Sequence, residues 1–208
     1  IRIKGKKRKI MLIKKIAQKR VVVLRLSIVL IITLIVLDNN FSAYSLEIDP
    51  NTAILFSYIG YTLVVLGGFG RIWASLYLEG FKTKKLIKEG PYSMVRNPLY
   101  FFSLMIFLGM FFAIKSVPIS VTILLVFVLF HVPTILNEEK VLLDTHDESY
   151  RAYYESTPRL LPNIFKYKKT KSTDRIEVKI KSINSVLWEV IGYLFLFTLI
   201  DFFYFIGL

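Results

Sequence analysis

Apolar positions along this chain fall into long unbroken runs rather than into the period of an amphipathic helix or strand, and such runs predict membrane-spanning helices. The first covers residues 21–37, interrupted only by Arg25 near its end, where a long side chain can snorkel to the surface; Asp38, Asn39 and Asn40 stop it. The second begins near Thr52, after Asp49-Pro50, and runs to about Phe69, with Gly60, Gly67, Gly68 and Gly70 along it. Small residues let helices approach closely in lipid, where packing replaces the hydrophobic driving force; tolerated flexibility is the competing explanation. Residues 71–80 read as an interfacial continuation of the same helix, carrying Arg71, Trp73 and Tyr77. Runs over 99–114 and 117–136 are parted only by Lys115-Ser116 and Pro118, a connection short enough for an antiparallel hairpin in the bilayer. A polar segment, 137–181, precedes a last run over 186–208, with Trp188 at its start and Asp201 as its only acid beyond Glu189. The pattern predicts an all-α, polytopic membrane protein with about five transmembrane helices. These form a single domain over 21–208 behind a basic segment, 1–20.

Charge assigns the faces. Segment 1–20 is rich in Lys and Arg, and loop 38–51 has neither. Loop 81–98 carries Lys82, Lys84, Lys85, Lys88 and Arg96, the hairpin tip has Lys115 alone, and 137–181 is basic again. Basic and non-basic connections alternate as five spans require, so the positive-inside rule puts the N-terminus in the cytoplasm and the C-terminus outside. The same placement accounts for the net charge of +13 without nucleic acid. Basic residues at the inner surface meet anionic lipid heads, each worth about 1 kcal/mol. The composition, 54% hydrophobic and 15% aromatic, exceeds what a soluble domain of 208 residues needs. Cysteine is absent, which excludes disulfides and thiolate chemistry, and with only His131 and His146 no histidine metal site is expected. No small-residue cleavage site follows the first run, so a secretory signal is not expected; Met11 is a candidate natural start, with 1–10 a basic arm or an addition.

Two segments on the basic face are denser in unusual residues than topology requires. In the first, Gly90-Pro91 signals a turn, and Pro98 biases Asn97 away from helix while standing where a helix tolerates proline. The result is a rigid elbow presenting Tyr92, Arg96, Asn97 and Tyr100; a plain helix start would need only Pro98, with Asn97 as cap. In the second, Glu138-Glu139 directly follow apolar Ile135-Leu136. Adjacent acids at a hydrocarbon boundary are costly unless paired or used, though a solvated helix end would also hold them. If the helix continues to Leu143, the two acids lie mid-helix and face a pocket or their neighbours. Tyr150, Tyr153 and Tyr154 follow, by default an interfacial aromatic belt.

Gly90-Pro91-Tyr92, Val95-Arg96-Asn97-Pro98 and Tyr100 resemble the signature of the isoprenylcysteine carboxyl methyltransferase and phospholipid methyltransferase group. Glu138-Glu139, Leu142, Tyr150, Tyr153, Pro158-Arg159 and Pro162 resemble its second half, and Arg71 and Trp73 also fit, so the likeness covers about 71–162. The resemblance implies methyl transfer from S-adenosylmethionine to a membrane-embedded lipidic or prenylated acceptor, with the cofactor in a cytoplasmic pocket. Tyr92, Pro98, Leu99, Tyr100 and Glu138 would line the cofactor site, Leu86 and Ile87 would contribute through backbone, and Asn97 stands where the group usually has histidine. Asparagine keeps donors and acceptors but cannot take a proton in the working range, so binding is expected of Asn97 and proton transfer is not. The group has no fixed counterpart of the last span.

A sulfonium donor is already activated, so alignment and water exclusion are the main demands; positioning contributes roughly 7–11 kcal/mol. A carboxylate or phosphate acceptor needs no base, whereas an amine does, and Glu139 is the candidate. Arg96 and Arg159 are candidate clamps for an anionic acceptor, or equally partners of Glu138, Glu139 or lipid phosphate. Two other classes compete. One is a nicotinamide-dependent membrane reductase of the sterol reductase type, with a similar Arg-His-Pro elbow; the other is a non-catalytic lipid-binding protein.

Overall fold

The structure, a computed structural model, describes Val29 and residues 48–81, 86–145, 148–169 and 180–205. The first apolar run (Val29 apart), the basic arm 1–20 and most of the loop 38–51 lie outside these residues. Among the described residues these helices follow one another: α1 (Pro50–Phe81), a single turn α2 (Pro91–Met94), α3 (Pro98–Ile114), α4 (Val117–Thr145), α5 (Glu148–Ser156) and α6 (Ile180–Phe205). A 3₁₀ turn, Ile164–Lys166, lies between the last two. Asp49 starts α1 by accepting from the backbone N–H groups of Asn51 (3.0 Å) and Thr52 (3.1 Å), with Pro50 at the first helical position.

Among the described residues three helices are long and apolar enough to cross a membrane: Pro50–Glu79, Ile119–Asp144 and Ile183–Phe205. The fourth, α3, has 17 residues and about 26 Å of rise, a little less than a hydrocarbon core. The chain is an integral membrane protein: four of the five expected runs are helices, three of them full spans and α3 shorter, and the first run lies outside the described residues. The expected hairpin forms: α3 ends at Lys115, which adopts the left-handed conformation (φ 53°), and α4 starts two residues later.

The glycines of α1 are packing residues. A Cβ at Gly60 would stand 2.7 Å from the Gly109 carbonyl oxygen, and one at Gly109 would stand 2.6 Å from that of Gly60. At Gly67 a Cβ would meet the Phe102 carbonyl oxygen at 2.8 Å, so α1 and α3 touch backbone to backbone. Gly68 makes the same allowance for Val190 of α6. Val64, Ile106, Met110 and Ala113 form the core with Tyr193, Phe197 and Ile200, while Phe107 joins Ile119, Ile123 and Phe127 between α3 and α4.

The last helix, which the sequence left without a role, is held by two ion pairs. Glu189 Oε2 accepts from Arg71 Nη2 at 2.7 Å, and Arg71 also donates to Ser103 of α3. Asp201 Oδ1 accepts from Lys115 Nζ at 2.8 Å and from the Ser57 hydroxyl at 2.6 Å. The Lys115 side chain is wholly buried and lies over the Tyr204 ring at 3.9 Å. Each lone charge within a span would cost on the order of 3 kcal/mol, so α6 neutralises two cations that the α1–α3 core presents.

Candidate functional site

The elbow and the twin glutamates meet at one end of the bundle. Helix α4 continues well past the apolar run to Thr145, so Glu138 and Glu139 lie mid-helix, both buried. Neighbours on a helix point about 100° apart, and the two carboxylates face different partners. Glu138 Oε1 accepts from the Tyr100 hydroxyl at 3.2 Å, joining α4 to the first turn of α3. Glu139 receives Asn97 Nδ2 at 2.9 Å and Arg159 Nε at 2.9 Å. Arg96 Nε lies 3.1 Å from the same carboxylate, an ionic approach without the alignment of a hydrogen bond. Burial alone would lower the Arg159 pKa, but Glu139 and Tyr154 outweigh it and hold the guanidinium above its ordinary value.

Asn97 precedes Pro98 at the start of α3, yet its side chain does not cap the helix as a plain helix start would have it. It turns instead to Glu139 and to the Arg159 carbonyl (3.1 Å). Arg96 donates to the Tyr154 carbonyl and stacks over the Tyr154 ring, 3.9 Å from its centroid. Its backbone N–H donates to the Pro158 carbonyl at 2.8 Å. Both candidate clamps thus pair with Glu139, one of the partners that the sequence had offered them.

The tyrosines are not a belt. Tyr150 and Tyr153 are almost wholly buried, and the Tyr153 hydroxyl donates to the Tyr92 carbonyl at 2.7 Å, fastening α5 to the elbow. Burial pushes the Tyr150 phenol up to about 12 and raises that of Tyr153 further, so both stay neutral at ordinary pH. The Tyr92 hydroxyl donates to the Ala74 carbonyl of α1 at 3.5 Å. Leu86 and Ile87 lie half-buried in the segment leading to Gly90.

A strap, residues 157–169, closes over the elbow. Asn163 N–H donates to the Met94 carbonyl (2.9 Å), Gly90 N–H to the Lys168 carbonyl (2.9 Å), and Lys168 N–H to the Ser93 hydroxyl (2.8 Å). Gly90 has φ 59°, and a Cβ there would strike the Tyr77 ring at 2.3 Å, so this position needs glycine on both counts.

Sequence reasoning missed the strap and also His131. Weighed only as a metal ligand, His131 is buried, stacked on Phe127 (4.2 Å between centroids) and edge-on to Tyr100 (5.7 Å). Its spacing of seven residues from Glu138 placed it on the same helix face and was the available signal. Likewise, Arg71 and Glu189 stand out as charges beside apolar runs, which the cost of burying them in lipid would have paired.

Residues 55–149 match the family model described as phospholipid methyltransferase. The chain is similar to the cobalt-zinc-cadmium resistance protein CzcN of Cupriavidus metallidurans, 32% identical over 110 residues, which are 53% of this chain and 50% of that one. It is similar also to the nickel-cobalt-cadmium resistance protein NccN of Alcaligenes xylosoxydans xylosoxydans, 30% identical over 106 residues, 51% of this chain and 49% of that one. The alignment thus spans about half the length of these curated relatives. No solved structure matches the chain. The stretch that builds the elbow, the hairpin and both glutamates is thus the part of the chain that matches the phospholipid methyltransferase model.

Proposed function

We propose that the chain transfers a methyl group from S-adenosylmethionine to a lipidic acceptor, in a cleft between the elbow and α4 at the cytoplasmic face, with the N-terminus inside. The observation that carries this reading is the closure of both motif halves on one another: Tyr100 reaches Glu138, and Asn97, Arg96 and Arg159 reach Glu139. When bound, the cofactor supplies an activated methyl group on a cationic sulfur. The residues present suit such a cation, since a buried carboxylate, Glu138, lies beside the Tyr100 ring. Glu138, Tyr92, Asn97, Pro98, Leu99 and Tyr100 hold the cofactor, with Leu86 and Ile87 at its edge through backbone.

Glu139 braces the cleft through Arg96 and Asn97, and Arg159 is the clamp for an anionic acceptor head, because its side chain is 43% exposed against 8% for Arg96. For a carboxylate or phosphate acceptor no base is required. For an amine, Glu139 takes the proton once Arg159 has turned to the acceptor. The acceptor is a prenylated carboxylate or a phospholipid head group. The names of the two relatives suggest metal stress as the setting; growth of a deletion strain with and without cadmium tests that link.

Calorimetric titration of the detergent-purified protein with S-adenosylmethionine tests the reading. Binding is expected, weakened about tenfold by Glu138→Gln and by Tyr100→Phe, or about 1.4 kcal/mol, with the unfolding temperature little changed. Binding of a nicotinamide dinucleotide in its place favours the reductase class, and binding of neither favours the non-catalytic one.

A further inference from the structure

The strap's inner side closes the elbow, but its outer side is unlike the rest of a polar loop. Leu161, Ile164 and Phe165 are 72%, 65% and 94% exposed, and Lys166, Lys168 and Lys169, all exposed, follow directly. The strap folds back onto the bundle. Tyr167 packs on Trp73 with ring centroids 6.3 Å apart, and the Gly90–Lys168 bridge rests on Tyr77. Trp73 and Tyr77 belong to the last two turns of the span Pro50–Glu79, so the strap lies against the bundle where the hydrocarbon ends. Trp188, 73% exposed near the start of the span Ile183–Phe205, marks the same boundary on α6.

We propose that the outer side of residues 161–169 is a membrane-surface wedge. Leu161, Ile164 and Phe165 enter the boundary between head groups and acyl chains, and Lys166, Lys168 and Lys169 meet anionic lipid heads. Apolar side chains beside a cluster of cations are the pattern that holds a segment in an interface, by burial below and charge above. The wedge lies beyond the matched residues 55–149, and it depends on the chain spanning a membrane, not on methyl transfer. Its consequence for the site is direct. Arg159 and Pro158 belong to the same strap, so lipid contact on one side fixes the height of Arg159 against Glu139 on the other.

The chain has no cysteine, so single-cysteine spin labels report without background. Phe165→Cys and, as an exposed control on α5, Glu155→Cys are labelled and reconstituted in phosphatidylcholine vesicles with and without phosphatidylglycerol. The collision rates of each label with oxygen and with a water-soluble nickel chelate give its depth. The expected result is an oxygen-to-nickel ratio several-fold higher at position 165 than at 155, rising further with phosphatidylglycerol. The rise should vanish when Lys166, Lys168 and Lys169 are all changed to Gln. A ratio at 165 equal to that at 155 overturns the wedge, as does a label shielded from both reagents, which indicates a protein partner instead. A ratio indifferent to phosphatidylglycerol overturns the assignment of the lysines.

Discussion

Arg159 Nε and Glu139 Oε2 stand 2.9 Å apart across twenty residues of sequence, while Glu138, the immediate neighbour of Glu139, turns to Tyr100 on α3. One pair of adjacent acids therefore serves two tasks. Glu139 fastens the elbow and the strap to α4, and Glu138 faces the proposed cofactor cleft.

That division predicts different behaviour of the two acids. Glu139→Ala leaves Arg96 buried without its carboxylate and is expected to destabilise by about 3–5 kcal/mol. Arg159→Ala, at a half-exposed partner, is expected to cost only about 0.2–1 kcal/mol. Thermal unfolding in detergent measures both. Equal losses would mean that Glu139 is not the hub.

The helix packing of α1 predicts a contrast among glycines. Gly67→Ala drives a methyl group into the Phe102 carbonyl and is expected to cost about 1–3 kcal/mol, whereas Gly192→Ala, with nothing within 4 Å, is expected to be neutral or slightly stabilising. Denaturation of the two variants side by side shows the difference, and a neutral Gly67→Ala would refute the close approach of α1 and α3.

For the last span, Glu189→Leu alone leaves Arg71 without its partner near the hydrocarbon and is expected to lose about 3 kcal/mol. Combining it with Arg71→Met removes both charges and should recover most of that loss. A double variant no better than Glu189→Leu would show that the pair contributes nothing beyond its separate side chains.

Alkaline titration tests the buried phenols. Tyr150 has its pKa raised from the ordinary 10.0 to about 12, and that of Tyr153 is raised further. The unfolded chain therefore releases these protons first. The stability the two phenols lend is fully present below pH 10 and is lost as pH rises through the folded value. Tyrosinate absorbance up to pH 11 should be the same in the native protein and in Tyr150→Phe, and unfolding should ease above that pH. A smaller absorbance change in Tyr150→Phe would show the phenol to be accessible.

Much of the site was legible because its residue types are costly in their positions. Gly90-Pro91 and Pro98 restrict the backbone wherever they occur, and two acids beside Ile135-Leu136 require partners. The partners themselves were not legible. A plain helix start would have had Asn97 cap α3, but its amide donates to Glu139 and the Arg159 carbonyl instead. Tyr150 and Tyr153 have the composition of an interfacial belt, and only the packing of α5 on the elbow buries them.

By itself, then, the sequence determined that the chain enters a membrane, where its hairpin turns and which residues are too unusual to be scaffold. Those properties are local, since hydrocarbon excludes charge and proline restricts its neighbours regardless of what packs against them. Tertiary structure alone decided that Arg96 and Arg159 share Glu139, that α6 neutralises Arg71 and Lys115, and that the strap turns Phe165 outward. Each depends on which helix faces meet and at what height. In a bilayer, close backbone contact of the Gly60–Gly109 kind sets that height, and no periodicity along one strand of sequence records it.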